Sequence, residues 1–344
     1  MRTDRCSCGN RLYFGNTQCL QCGQLLGFLP EIRRIVPLNE TVKRCANHTS
    51  ANCNWLIKAE QADTLCLACR LTLTIPDLDT EQNRHYWRKL ESAKRYLICD
   101  LVRLDLPIID RHQDPERGLA IDFLADQDTP AGVETITTGH LQGRITINIA
   151  EADDVHREQQ RVALGEVYRT LLGHLRHESG HYYWMRLVEN TDQLLVFREL
   201  FGDERVSYTD AMAYYYQNWP TADWSLHHIS AYASAHPWED WAETWAHYLH
   251  ITDAMETARD FGLVAPRKSR GIDCEITRWG DLSQALNALS RSVGVADPYP
   301  FAITPRVAKK LRFIHELIAG AGNGGSVANN RPSPSPQASR SAMK

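Results

Sequence analysis

The 344-residue sequence predicts an α+β protein in which a small cysteine-rich module precedes a larger, mainly helical domain with a small sheet. Three observations carry that reading. Eight of the ten cysteines fall before residue 70. Residues from about 76 to 320 carry helical periodicity and most of the aromatics. Between Gly143 and Ala150, Ile145, Ile147 and Ile149 alternate with Thr146 and Asn148, the pattern of a half-buried strand. The expected division is 1–75, 76–320 and 321–344. The last segment holds Arg331-Pro332-Ser333-Pro334-Ser335-Pro336, which cannot build a core and is expected to be disordered.

The cysteines form two sets, Cys6, Cys8, Cys19 and Cys22, then Cys45, Cys53, Cys66 and Cys69. A Cys-x-x-Cys knuckle turns two thiolates toward one ion, and two such elements complete a four-cysteine zinc site. So small a module buries little apolar surface, so the metal supplies folding free energy. The module therefore reads as a zinc ribbon with two structural Zn²⁺ ions. His48 is an alternative ligand to Cys53. A redox role for the Cys-x-x-Cys pairs lacks a βαβ setting. Residues 1–75 carry nine Lys/Arg and five Asp/Glu, a formal +4. Two zinc centres, each with four thiolates, cancel it, which leaves a poor footprint for nucleic acid. A structural or protein-docking role follows.

In the second region Asp79 or Thr80 caps a helix carrying Tyr86, Leu90, Ala93 and Leu97. After the strand, one long helix is expected from about Asp154 to Val188, with Leu164, Val167, Leu171, Leu172 and Leu175 as its apolar stripe. A loop around Phe201 to Glu204 and further helices follow, one of them near Trp238 to His250. A net charge of −4 gives no reason to expect an anionic partner. The absence of an apolar leader or a membrane-length apolar run makes a cytoplasmic location the expectation.

The chemistry centres on His177-Glu178-Ser179-Gly180-His181. Histidines four apart share a helical face and can grip one ion, with Glu178 toward its open side. A catalytic zinc takes three protein ligands and leaves one position for water. Glu199, Asp203 and Glu204 are near candidates for the third ligand, Glu239 is the far one, and His236 is a further rival. Glu239 and Glu243 are also four apart, so one can ligate while the other accepts the free N–H of a ligand histidine. Pro237 suits the helix start, and Ala242 and Ala246 permit close packing against the histidine helix. Cys99 and Cys274 read as buried small apolar residues. His227 and His228 read as loop residues, with cleft lining as the alternative, and His247 and His250 as packing or surface groups.

His177-Glu178-x-x-His181 followed by Tyr232-x6-Glu239-x3-Glu243 resembles the lethal-factor-like branch of the gluzincin metallopeptidases. More closely, the chain resembles a bacterial family that joins an N-terminal zinc-ribbon region to a zinc-binding metallopeptidase domain. The matching stretches are Arg144 to Ala150, Tyr168 through Trp184, and Tyr232 to Leu249. The resemblance covers nearly everything except the tail. It implies a gluzincin-like metallopeptidase domain acting on a peptide or protein, with one catalytic Zn²⁺ on His177, His181 and Glu239. Glu178 would be the general base, Tyr232 would face the oxyanion, and Glu243 would orient a ligand histidine. The gap between His181 and Glu239 is longer than in better-known gluzincins, which keeps Glu204 open as a ligand. The strand from Arg144 to Ala150 would serve as a peptide-binding edge or as plain sheet structure. The rival readings are a catalytically silent metal-containing binding protein and a nucleic-acid-associated zinc-ribbon protein. A further combination has the ribbons recruit a protein substrate.

Overall fold

The computed structural model describes residues 3–129, 132–218, 223–266 and 271–323. The expected disordered tail lies almost wholly outside them. Three antiparallel hairpins build the first module: β1 (Asp4–Arg5) with β2 (Arg11–Leu12), β3 (Leu26–Leu29) with β4 (Arg34–Pro37), and β5 (Val42–Arg44) with β6 (Leu56–Lys58). Two knuckles close through glycines in the left-handed region, Gly9 N–H to the Cys6 carbonyl at 2.8 Å and Gly23 N–H to the Cys19 carbonyl at 2.9 Å. Cys66 and Cys69 sit at the start of and within the short helix α1 (Leu67–Arg70). Phe14, Phe28 and Trp55 pack between the hairpins with ring centroids 5.0–6.4 Å apart, and Phe14 reaches Tyr96 of the next helix at 4.8 Å.

That helix, α2 (Glu81–Arg103), begins where Thr80 accepts the Asn83 N–H. It buries Leu90, Ala93 and Leu97 and leaves Tyr86 half-buried. It is also the post around which the second cysteine set wraps. Arg88 donates to the Ser50 carbonyl at 2.8 Å, and Arg95 donates to the Ala51 and Asn52 carbonyls at 3.3 Å.

The sheet has strand order β11-β12-β8-β7. Here β7 is Thr72–Thr74, β8 is Ala120–Leu124, β11 is Gly139–Leu141 and β12 is Arg144–Asn148; a separate hairpin joins β9 (Gln127–Thr129) and β10 (Gly132–Glu134). β8 runs parallel to β7 and β12, and β11 is antiparallel to β12. β12 is therefore paired on both sides and cannot be the peptide-binding edge. Its alternation reports that Ile145 and Ile147 face the core, which says nothing of its position across the sheet. The edge is β11.

The single long helix expected from Asp154 to Val188 is two helices, α3 (Asp154–Ala163) and α4 (Leu171–Leu187). Gly165 at φ 61° breaks the path, Thr170 stands extended and caps α4 through the Gly173 N–H at 3.0 Å, and Val167 is exposed. The supposed stripe thus crosses a helix end, a loop and a new cap. Then follow α5 (Gln193–Phe201), α6 (Tyr208–Asn218), α7 (Trp224–His227), α8 (Pro237–Asp260), α9 (Ile272–Ser292) and α10 (Pro305–Asn323). α10 continues through Gly320, a little beyond the expected end of the domain. Cys99 is buried as expected, whereas Cys274 is exposed on α9.

α4 and α8 cross at Gly180. A Cβ there would stand 2.9 Å from the Ala242 Cα and 3.2 Å from Trp245 side-chain atoms. Two indoles lock the crossing: Trp241 Nε1 donates to the Gly180 carbonyl at 2.8 Å and Trp245 Nε1 to Ser179 Oγ at 3.1 Å. Gly180→Val should lower stability by about 1–3 kcal/mol despite leaving a helix glycine behind, because the backbones must separate. Denaturant unfolding midpoints of the two proteins measure it.

Candidate metal centre

His177 and His181 project from α4 onto α8, where Glu239 occupies the first turn behind Pro237. His177 Nε2 lies 3.0 Å from Glu239 Oε2, and His181 Nε2 lies 3.6 Å from Glu239 Oε1. One ligand atom from each of the three fits within 4.8 Å of the others. The edges of a tetrahedron with 2.0–2.1 Å bonds measure roughly 3.3–3.4 Å, so the set suits a zinc ion. Glu239 Oε2 is buried with no hydrogen-bond donor, as is Glu178 Oε2. Buried carboxylate oxygens left without donors are what a cation satisfies.

The site's field points the same way. Burial pushes Glu239 upward, yet the imidazoles of His181 and His177 and the Tyr208 hydroxyl hold it at about 2. Burial disfavours charge on His177, but Glu239 and Glu243 override it and favour a cation there. Glu178, raised by burial, is brought below the ordinary carboxylate range by His174, His181 and His177.

Glu243, one turn beyond Glu239, takes the other nitrogen of His177, Nδ1, at 2.7 Å. Ser230 donates to its second oxygen at 2.6 Å. The Ser230 hydroxyl also accepts the Ala233 N–H at 3.2 Å, inside the 3₁₀ turn Tyr232–Ser234. One short segment therefore places Glu243 and Tyr232 together. The Tyr232 ring lies 5.9 Å from the His177 ring.

The rival ligands are engaged elsewhere. Glu204 is held by Arg198, Asp203 by Arg205, and Glu199 is exposed. His236 caps α8, its Nδ1 accepting the Trp238 N–H at 3.1 Å. His228 faces Asp240 at 3.2 Å, His227 ends α7, and His247 meets the Tyr299 hydroxyl at 2.9 Å. His250 is half-buried among the rings of Tyr168, Trp279 and Tyr299.

Three neighbours escaped the sequence reading. Tyr208, at the start of α6, donates to Glu239 Oε1 at 3.0 Å. His140 on β11 stacks against His181 with centroids 6.1 Å apart. His174 lies between Glu178 and Glu151, 3.5 Å and 3.7 Å away, and Glu151 is anchored by Arg169 at 2.6 Å. The four-residue spacing of His174 and Glu178 was a usable signal, since it puts both on one face of α4. All of these groups line a cavity of about 1560 Å³. Its lining includes Arg117 and the β11 residues Gly139, His140 and Leu141, and also Tyr168 and Phe301.

The cysteines gather into two further centres. Cys6 faces Cys22, and Cys8 faces Cys19, at 3.6 Å; Cys53 lies 3.7 Å from both Cys66 and Cys69. Sulfurs around zinc with 2.3 Å bonds stand roughly 3.8 Å apart, whereas a disulfide needs about 2.05 Å. Backbone N–H groups of Cys22 and Gln21 hold Cys19 down at about 6 against its desolvation. His48 stays outside the second set, its Nδ1 at 3.0 Å from the Cys53 carbonyl. The second set is wholly buried, while Cys8 and Cys22 of the first are exposed.

Fold and site together define a zinc-ribbon protein with a candidate metal centre where two helices cross. A zinc-ribbon domain family matches residues 4–80, and the family described as "Putative zinc-binding metallo-peptidase" matches residues 83–317. The chain belongs to this zinc-binding metallo-peptidase family. Uncharacterized proteins of Mycobacterium bovis and Mycobacterium tuberculosis are 44% identical over 331 residues, covering 92% of this chain and 95% of theirs. No solved structure matches the chain at a significant level. Among the described residues no helix is long and apolar enough to cross a membrane.

Burial works against charge on His174, but Glu151 and Glu178 overcome it and raise the imidazole from 6.5 to about 9. A raised value means that its stabilisation is complete below about 6.5 and fades as pH rises through about 9. His174→Gln should therefore destabilise the protein at pH 6 and differ little from it near pH 10. Thermal melts across that range test this.

Proposed function

We propose that the chain is a gluzincin-type zinc endopeptidase that hydrolyses peptide bonds in an extended segment of a protein or peptide. The observation that supports it most is the convergence of His177, His181 and Glu239 on one point, with the Glu178 carboxylate buried beside them. His177, His181 and Glu239 would hold one Zn²⁺, which supplies Lewis acidity to water and to the scissile carbonyl.

The chain's own groups do the rest. Glu178, held as a carboxylate, takes a proton from the attacking water and returns it to the leaving amine. Tyr232 keeps its proton, because burial and the nearby Glu239 carboxylate push it well above the ordinary phenol range, so it donates to the developing oxyanion. Glu243, fixed by Ser230, keeps the His177 proton on Nδ1 and leaves Nε2 as a ligand. The free edge of β11 can pair with an extended peptide main chain beside His181. A cavity of about 1560 Å³ around the histidines has room for the segments that flank an internal peptide bond. The two ribbon zincs are structural, and the half-exposed first ribbon is a surface for recruiting a protein substrate. A reducing cytoplasm would keep the cysteines available as thiolates.

Metal analysis by mass spectrometry should give about three zinc ions per chain, and Glu239→Ala should remove one of them. Glu178→Gln should keep all three and lose about 10²–10⁴-fold in cleavage of a peptide library. Turnover that survives in Glu178→Gln removes the general base. A metal-replete wild type without turnover on any peptide favours a silent binding protein. Tyr232→Phe should lower kcat by about 10²–10³-fold at unchanged zinc content.

A further inference from the structure

Glu239 presents two unlike oxygens. Oε1 accepts the Tyr208 hydroxyl at 3.0 Å and stands 3.6 Å from His181 Nε2, whereas Oε2 lies closer to its histidine, 3.0 Å from His177 Nε2, buried and without a donor. A carboxylate free to turn can bind an ion through one oxygen or through both. Here one oxygen is already engaged by a hydroxyl and the other is offered toward the ligand nitrogen.

Tyr208 is itself fixed without help from a metal. His236 accepts the Trp238 N–H on Nδ1, so its ring proton lies on Nε2, which donates to the Val206 carbonyl at 3.2 Å. That bond ties the segment just before Tyr208 to the start of α8, one turn from Glu239. The Tyr208 ring packs against His236 and Trp238, with centroids 5.2 and 6.3 Å away.

We infer that Tyr208 is a positioning residue that restricts Glu239 to one-oxygen binding of the catalytic metal, keeping a fourth position open for water. The inference rests on the proposed metal site. Without the hydroxyl, Glu239 loses the partner that orients it, which weakens binding, and Oε1 is free to turn onto the ion, which would raise the coordination number.

The test uses the full-length protein with both ribbon zincs in place. The third metal is removed and titrated back, as Zn²⁺ against a fluorescent chelator and as Co²⁺ followed by its visible absorption. Tyr208→Phe should bind the third Zn²⁺ about 10–100-fold more weakly. Its Co²⁺ bands should lose intensity, the mark of a shift from four to five ligands. Tyr214→Phe, exposed on the same helix, should match wild type in both. Retention of two ribbon zincs and an unshifted melting temperature exclude general unfolding. An unchanged affinity and Co²⁺ spectrum in Tyr208→Phe overturn the inference while leaving the metal site standing. A wild type that takes up no third metal overturns the site itself, and the inference with it.

Discussion

Gly180 lies between the two histidines in sequence and against Ala242 in space, and that backbone contact sets the distance between α4 and α8. Imidazoles from one helix and carboxylates from the other can meet across a narrow crossing only if nothing bulky lies beneath them. The indoles of Trp241 and Trp245 then fasten the crossing to Gly180 and Ser179. Glu239 faces both histidines, and Glu243, one turn on, reaches the far nitrogen of His177. The i, i+4 repeat on each helix thus becomes a converging set of imidazoles and carboxylates because the two axes are held so close.

A cost of this arrangement is the gathering of buried charge. Around the site the protein answers three carboxylates with a specific donor: Ser230 on Glu243, Tyr208 on Glu239, Arg169 on Glu151. Behind it, Arg176 on the other face of α4 pairs with Asp100 of α2 and Asp253 of α8. Breaking such a buried pair leaves a desolvated charge, so these pairs fix the orientation of α4 more than they add net stability. Asp100 thus holds α4 to α2, and α2 is tied to the second ribbon by hydrogen bonds from Arg88 and Arg95 to loop carbonyls.

What could be read in advance was what depends on short spacing. Paired cysteines, His177 with His181, and Glu239 with Glu243 are local patterns, and the fold brings each pair onto one point. Gly180 and Ala242 stood in the sequence as small residues, but their direct opposition is a property of the crossing. Tyr208 carries no such mark: it lies on another helix, with no periodic relation to Glu239. The break at Gly165 leaves little trace in the sequence, because an apolar repeat can continue by accident through a helix end, while the Thr170 cap that restarts the helix is a single residue. β12 showed which face is buried but not whether a neighbour lies on each side, since pairing partners come from distant chain.

The two cysteine centres differ in one respect that bears on how the molecule is made. The second is wholly enclosed, and the loops it ties lie against the arginines of α2. In synthesis this module leaves the ribosome before α2 and long before α4 and α8. Zinc captured at Cys45, Cys53, Cys66 and Cys69 would give α2 a finished surface to settle on, and α2 in turn supplies Asp100 to the helix bearing His177. Cellular zinc supply would then act on this protein twice, first as an assembly factor at birth and only later as a reagent.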